Sequence, residues 1–190
     1  MLLLAYSFID VILTNAFRIS YPMPTIALIN GHGFAAGFMT AMMHDYRLMN
    51  PHRGFLCLNE LDFGAPLKPA MASIFRVKIP SPNTYRTMVL ESKRFNGLEA
   101  LKEGILDGLG GVEEVLAYVG EVGLVERGKS GVYGGLKAEM WRETVGFLDN
   151  VEGSDRREER EVQDQKRRQD EEKRRVEEWE RSRGRVIPKL

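Results

Sequence analysis

The residues in this chain best placed for chemistry are small ones. Ala35-Ala36-Gly37 lies between an apolar run, Thr25-Ile26-Ala27-Leu28-Ile29, and a Met- and Ala-rich stretch from Phe38 to His44. The first run reads as a buried strand and the second as a helix, so the three small residues form a tight turn into a helix start. Backbone N–H groups at a helix start lack intrahelical acceptors and can hold an anion or an oxyanion. Small side chains let a ligand approach them closely. Taken alone, such a turn more often serves packing than function.

The other candidates are weaker. Asn59-Glu60-Leu61-Asp62-Phe63-Gly64 reads as a loop ending at a glycine, and composition alone makes Glu60 a surface carboxylate. Asp62 reads as a cap or a solvated loop residue. The single cysteine, Cys57, sits among apolar residues and reads as a core filler; it excludes an internal disulfide and fits a reducing compartment. His32, His44 and His52 do not fall at metal-ligand spacing with acidic partners, so no metal site is expected.

The elements that must position the turn follow from punctuation. Tyr46–Met49 and Gly54–Leu58 read as further strands. Helices are predicted over Ala70–Ile79, Thr84–Arg94 and Gly97–Gly104, then over Val112–Val125 and Val132–Leu148, with one more strand at Ile105–Asp107. Ser81-Pro82-Asn83 supplies a cap and an N-terminal proline. Strands alternating with helices predict an α/β domain. The apolar start, Met1 to Leu13, lacks a basic n-region and is too short to span a bilayer; it reads as a buried or amphipathic helix.

Charge divides the chain. Twenty-seven basic and 27 acidic residues leave a formal net charge of zero, which gives no global field toward nucleic acid or an anionic membrane. The charges crowd into Val151 to Arg183, where acids precede bases by four residues at Asp164–Arg168, Asp170–Arg174, Glu171–Arg175 and Glu177–Arg181. That pattern predicts a solvated, self-paired helix. Repeated apolar positions for a coiled coil are missing, and acids cancel any basic stripe for RNA.

Several motifs occur in order. Pro24 to Gly37 (PTIALINGHGFAAG) gives Pro, an apolar strand, glycines and a small-residue turn. Ala41 to Met49 (AMMHDYRLM) steps from helix to strand through an aspartate. Arg53 to Leu56 leads to the NELDFG run, and Asn96 to Asp107 (NGLEALKEGILD) follows. Together these resemble the crotonase family of acyl-CoA enzymes, and NELDFG is most similar to peroxisomal Δ3,Δ2-enoyl-CoA isomerases. The likeness covers about Ser7 to Leu148.

The resemblance implies a crotonase-like (ClpP/crotonase) ββα superhelix. In that family two backbone N–H groups hold the thioester oxygen. The one in the second motif falls on Ala36, with Ala35 and Gly37 shaping the turn. The hydratases' extra glutamate falls on Met39, which cannot move a proton, so hydration is disfavoured. The isomerases' base falls on Glu60, with Phe55, Leu61 and Phe63 as pocket wall and with Leu56 and Leu58 nearby. No cofactor beyond the acyl-CoA substrate is implied. The family's first oxyanion donor, in a loop near a Gly–x–Asp motif, has no counterpart between Met1 and Pro22, so an N-terminally truncated fold is expected.

The expected organisation is a partial acyl-CoA domain over 1–150, a charged helical extension over 151–185, and a tail over 186–190. The terminal Pro188-Lys189-Leu190 resembles a variant of the Ser-Lys-Leu peroxisomal address read by the import receptor. The implied function is an enoyl-CoA isomerase of fatty acid β-oxidation, a homotrimer or hexamer, in the peroxisome or otherwise the cytoplasm. The alternatives are a non-catalytic crotonase-fold protein and an interaction protein acting through the charged helix.

Overall fold

The apolar run after Pro24 forms β1 (Ile26–Ile29), and glycine-rich chain leads into β2 (Gly33–Phe34). Helix α1 (Ala36–Met42) follows, then β3 (Tyr46–Met49) and β4 (Leu56–Cys57). This computed structural model describes residues 19–184. The helix expected over Met1 to Leu13 and the tail with Pro188-Lys189-Leu190 lie outside the described residues. The chain divides into two units, residues 1–149 and 150–190.

In the first unit β1, β3 and β5 (Gly108–Leu109) form one parallel sheet, ordered β1-β3-β5, with Leu28 opposite Leu48 and Leu48 opposite Gly108. β2 and β4 form a second parallel pair, with Phe34 opposite Cys57. Parallel neighbours require crossover connections, which α1 and the later helices supply. The helices are α2 (Glu60–Phe63), α3 (Pro69–Lys78), α4 (Pro82–Leu90), α5 (Gly97–Lys102), α6 (Val112–Val122), α7 (Leu124–Gly128), α8 (Tyr133–Met140) and α9 (Arg142–Asp149).

The core lies between α1, α3 and α9. Phe38 and Phe75 meet edge-to-face with centroids 5.2 Å apart, beside Met42, Ile74 and Trp141. Thioether side chains bend to fill gaps of irregular shape, which suits a core with six methionines among its buried residues. A buried hydrogen bond of 2.8 Å joins Ser73 and Thr144, pinning α3 to α9.

The caps follow the sequence. Ser81 accepts the Thr84 N–H at 3.3 Å, with Pro82 at the first helical position. Asn96 and Glu99 form a capping box at 2.9 and 3.1 Å.

Four expectations need correction. Asn59–Gly64 is not a loop: Glu60–Phe63 makes a helical turn closed by Gly64 at φ 64, with the Ala65 N–H bonded to the Glu60 carbonyl at 2.9 Å. The strand placed at Ile105–Asp107 begins instead at Gly108. The Ile105 and Leu106 amides are occupied by the Ala100 carbonyl, so they finish α5 and leave no ladder bonds. The helix over Val112–Val125 breaks at Gly123, which takes φ 68. The helix over Val132–Leu148 breaks at Trp141, whose ring is wholly buried.

Two ion pairs, one half-buried and one buried, lock the sheet. Arg47 meets Asp107 at 2.7 Å and bonds the Ile105 carbonyl through Nε at 2.7 Å. Lys137 meets Asp45 at 2.8 Å, and that carboxylate also accepts the Thr25 N–H and hydroxyl at 2.8 and 3.0 Å.

The second unit holds α10 (Val151–Gly184), 34 residues and about 51 Å long. Its described pairs are Asp164–Arg167 at 3.1 Å, Arg174–Glu178 at 3.9 Å and Glu177–Arg181 at 3.6 Å. Only the last was expected; rotamers choose among acids and bases crowded at similar spacing, and exposed pairs of this kind contribute little. Among the described residues no helix is long and apolar enough to cross a membrane.

Candidate active site

The Ala35-Ala36-Gly37 turn is where sequence and geometry coincide. Ala35 precedes α1 with φ 46 and ψ −120, a conformation that suits glycine and strains an L-residue. Its amide donates to the Cys57 carbonyl at 3.0 Å, and its carbonyl accepts the Met39 N–H at 3.0 Å. The turn is therefore held at both ends, by β4 and by the first turn of α1. The Ala36 N–H sits next in line, at a helix start where no intrahelical acceptor exists. Ala35 and Ala36 are half-buried and Gly37 is exposed, so the turn faces accessible space.

Glu60 stands three residues beyond Cys57, at the first position of α2. It is 8% exposed, and neither carboxylate oxygen has a hydrogen-bond partner. Burial pushes its pKa above the ordinary carboxylate value, offset in part by its own backbone amide. A buried, unbonded carboxylate is costly and calls for a function. The turn follows Phe34 and Glu60 follows Cys57 by three residues, and the β2–β4 pairing joins these two segments, since Phe34 opposes Cys57.

The wall residues are distributed differently. Phe55, Leu61 and Phe63 are 40%, 56% and 71% exposed; Leu61 and Phe63 share the helical turn of Glu60, whereas Phe55 stacks on His32. Leu56 and Leu58 are buried. Met39 is a core residue, 3% exposed. His32 packs against Phe34 and Phe55 and its Nδ1 accepts the Phe55 N–H at 3.3 Å, a structural role. Asp62 is exposed. Among the described residues no group of three or more His, Cys, Asp or Glu is placed to hold a metal.

Sequence reasoning missed two further buried polar atoms. Asn59 Oδ1 and Ser92 Oγ are also buried without partners. Cys57 is buried, donates from Sγ to the Ser92 carbonyl at 3.2 Å, and its thiol pKa is pushed up by burial and drawn back by the Arg94 side chain. Ser92 sits at φ 47 just after α4, and no sequence signal marked it.

A cleft of about 400 Å³ runs along β1 and α1, touching the turn at Gly37 and lined also by Asn30, His32, Thr40 and His44. Glu60 is not on its wall.

The enoyl-CoA hydratase/isomerase family model matches residues 13–173. The chain belongs to that family. It is 38% identical over 131 residues to peroxisomal enoyl-CoA delta isomerase 1 of Arabidopsis thaliana, covering 67% of this chain and 55% of the relative. It is 33% identical over 133 residues to enoyl-CoA delta isomerase 3 of the same plant, covering 67% and 56%. The chain thus spans little more than half the length of these curated relatives. Among solved structures, an enoyl-CoA hydratase/isomerase family protein from Pseudomonas syringae matches with a TM-score of 0.60 at 21% identity, covering 77% of this chain and 62% of that one. The fold is crotonase-like, as the motif order implied.

Proposed function

We propose that this protein is an enoyl-CoA isomerase that shifts a 3-enoyl-CoA double bond to the 2-position. The observation that carries the reading is the Glu60 carboxylate, buried without a partner three residues beyond Cys57, whose carbonyl accepts the Ala35 N–H. A carboxylate short of hydrogen bonds is a stronger base than a solvated one. It takes a C2 proton from the substrate, and charge builds on the thioester oxygen as a dienolate forms. The Ala36 N–H stabilises that oxygen. The Glu60 carboxylic acid returns the proton at C4, and the double bond comes into conjugation with the carbonyl. Atoms and electrons balance without a cofactor.

Hydration needs a second acid–base group to handle water. Met39, where the resemblance places that group, is a core thioether. The exposed Leu61 and Phe63 offer apolar surface to an acyl chain near Glu60. The names of relatives support a peroxisomal setting. Pro188-Lys189-Leu190 would then engage the import receptor, and assembly would follow the family's trimers or hexamers.

The test is conversion of 3-enoyl-CoA to 2-enoyl-CoA by the full chain and by Glu60→Gln. Turnover lost in the variant supports the assignment. Equal rates remove Glu60 from the mechanism. CoA binding without turnover in either protein favours the non-catalytic alternative.

A further inference from the structure

A second cleft, of about 410 Å³, lies at the other end of the sheet. Thr25 and Asp45 precede the parallel strands β1 and β3, whereas Asn30 and His32 of the first cleft follow β1. The cleft is lined by Asp45, Tyr46, Lys78, Tyr133, Lys137 and Met140, among others. Two of the cations around it are matched by carboxylates: Lys137 by Asp45 at 2.8 Å, and Arg47 by Asp107 at 2.7 Å. Lys78 has no carboxylate partner among the described residues. Its Nζ donates to the Asp45 carbonyl at 3.1 Å and lies 5.4 Å from the Trp141 ring centroid.

We propose that Lys78 is an acylation site, its ε-amine held at the wall of this cleft by the Asp45 carbonyl and open to an acyl thioester. In its neutral form the amine keeps a lone pair while one of its two N–H bonds donates to the Asp45 carbonyl. That lone pair attacks the thioester carbonyl. The C–N bond forms, the C–S bond breaks, and the departing thiolate takes up the proton the amine sheds. The products are an amide and a free thiol, with no oxidant or reductant.

The surroundings favour the neutral amine. Burial and the Arg47 charge push the Lys78 pKa down to about 8; Asp45 and Asp107 oppose the shift and Lys137 adds to it. Tyr133 faces the same cleft with its pKa raised, chiefly by burial, so it stays an uncharged phenol. An ordinary lysine titrates near 10.4, so at pH 8 Lys78 presents roughly 100-fold more free amine. Lower basicity returns part of that gain as weaker nucleophilicity, leaving roughly a ten-fold rate advantage. The choice of thioester as donor rests on the acyl-CoA reading above; the site itself does not involve Glu60.

The experiment treats the full chain with acetyl-CoA, and separately with the acetyl thioester of a short thiol, at pH 7, 8 and 9. Peptide mass spectrometry reads the label at each lysine. Lys78 is expected to label about ten-fold faster than exposed Lys102, with an inflection near pH 8, and equally in Glu60→Gln. Lys78→Arg removes that label alone. Labelling by the short thioester but not by acetyl-CoA supports the site and counts against CoA binding. Lys78 labelling no faster than Lys102, or a label lost with Glu60→Gln, overturns the proposal.

Discussion

The Ala35 amide donates to the Cys57 carbonyl at 3.0 Å, which ties the strained turn to the strand that delivers Glu60 three residues later. One hydrogen bond thus couples the segment of the proposed oxyanion donor to that of the proposed base. A shift of β4 would move both the turn and the carboxylate.

Glu60→Gln is expected to lower isomerase turnover about 10³-fold, the range of a lost general base. Its effect on stability is separate. A folded-state carboxyl pKa raised by burial means the native state holds its proton to higher pH than the unfolded chain does. Stability therefore falls as pH rises from the ordinary carboxylate value through the raised one, and stays lower above it. Urea melts across pH 4 to 8 should show that slope in the parent and a flatter profile in the variant.

Ala35→Gly is expected to raise stability by about 1 kcal/mol. Relief of strain at φ 46 outweighs the added freedom of the unfolded chain. A lower denaturation midpoint in Ala35→Gly would mean the turn is not strained.

Lys137→Met breaks a pair whose side chains are 3% and 7% exposed. The Asp45 carboxylate keeps its Thr25 donors but loses its cation. The expected cost is about 3–5 kcal/mol. Adding Asp45→Asn should restore part of it, and a double-mutant cycle measures how much.

Asn96→Ala removes one side of the capping box and should cost about 1 kcal/mol. For a chain of this size that shifts a thermal midpoint by about 2–4 °C.

Local rules recovered what is local. The strand after Pro24, the small-residue turn, the Ser81 cap and the Asn96 box all follow from residue type and spacing, because each is satisfied within a few residues. The breaks at Gly123 and Trp141 did not show, since helical periodicity runs through both. Trp141 ends α8 to bury its ring among α3 and α9 side chains, a demand set by distant neighbours.

Glu60 shows the same division. The sequence by itself supplied a glutamate and a motif order that names the family, and it placed the small-residue turn at the helix start. Composition made that glutamate a surface carboxylate. Only the tertiary structure decided that it is buried and unbonded, because burial depends on β4, α2 and α4 closing around it. Lys78 is the clearer case. Nothing in its sequence neighbourhood distinguishes it, and its lowered pKa arises first from burial and then from the Arg47 and Lys137 charges, brought to it by folding from 31 and 59 positions away.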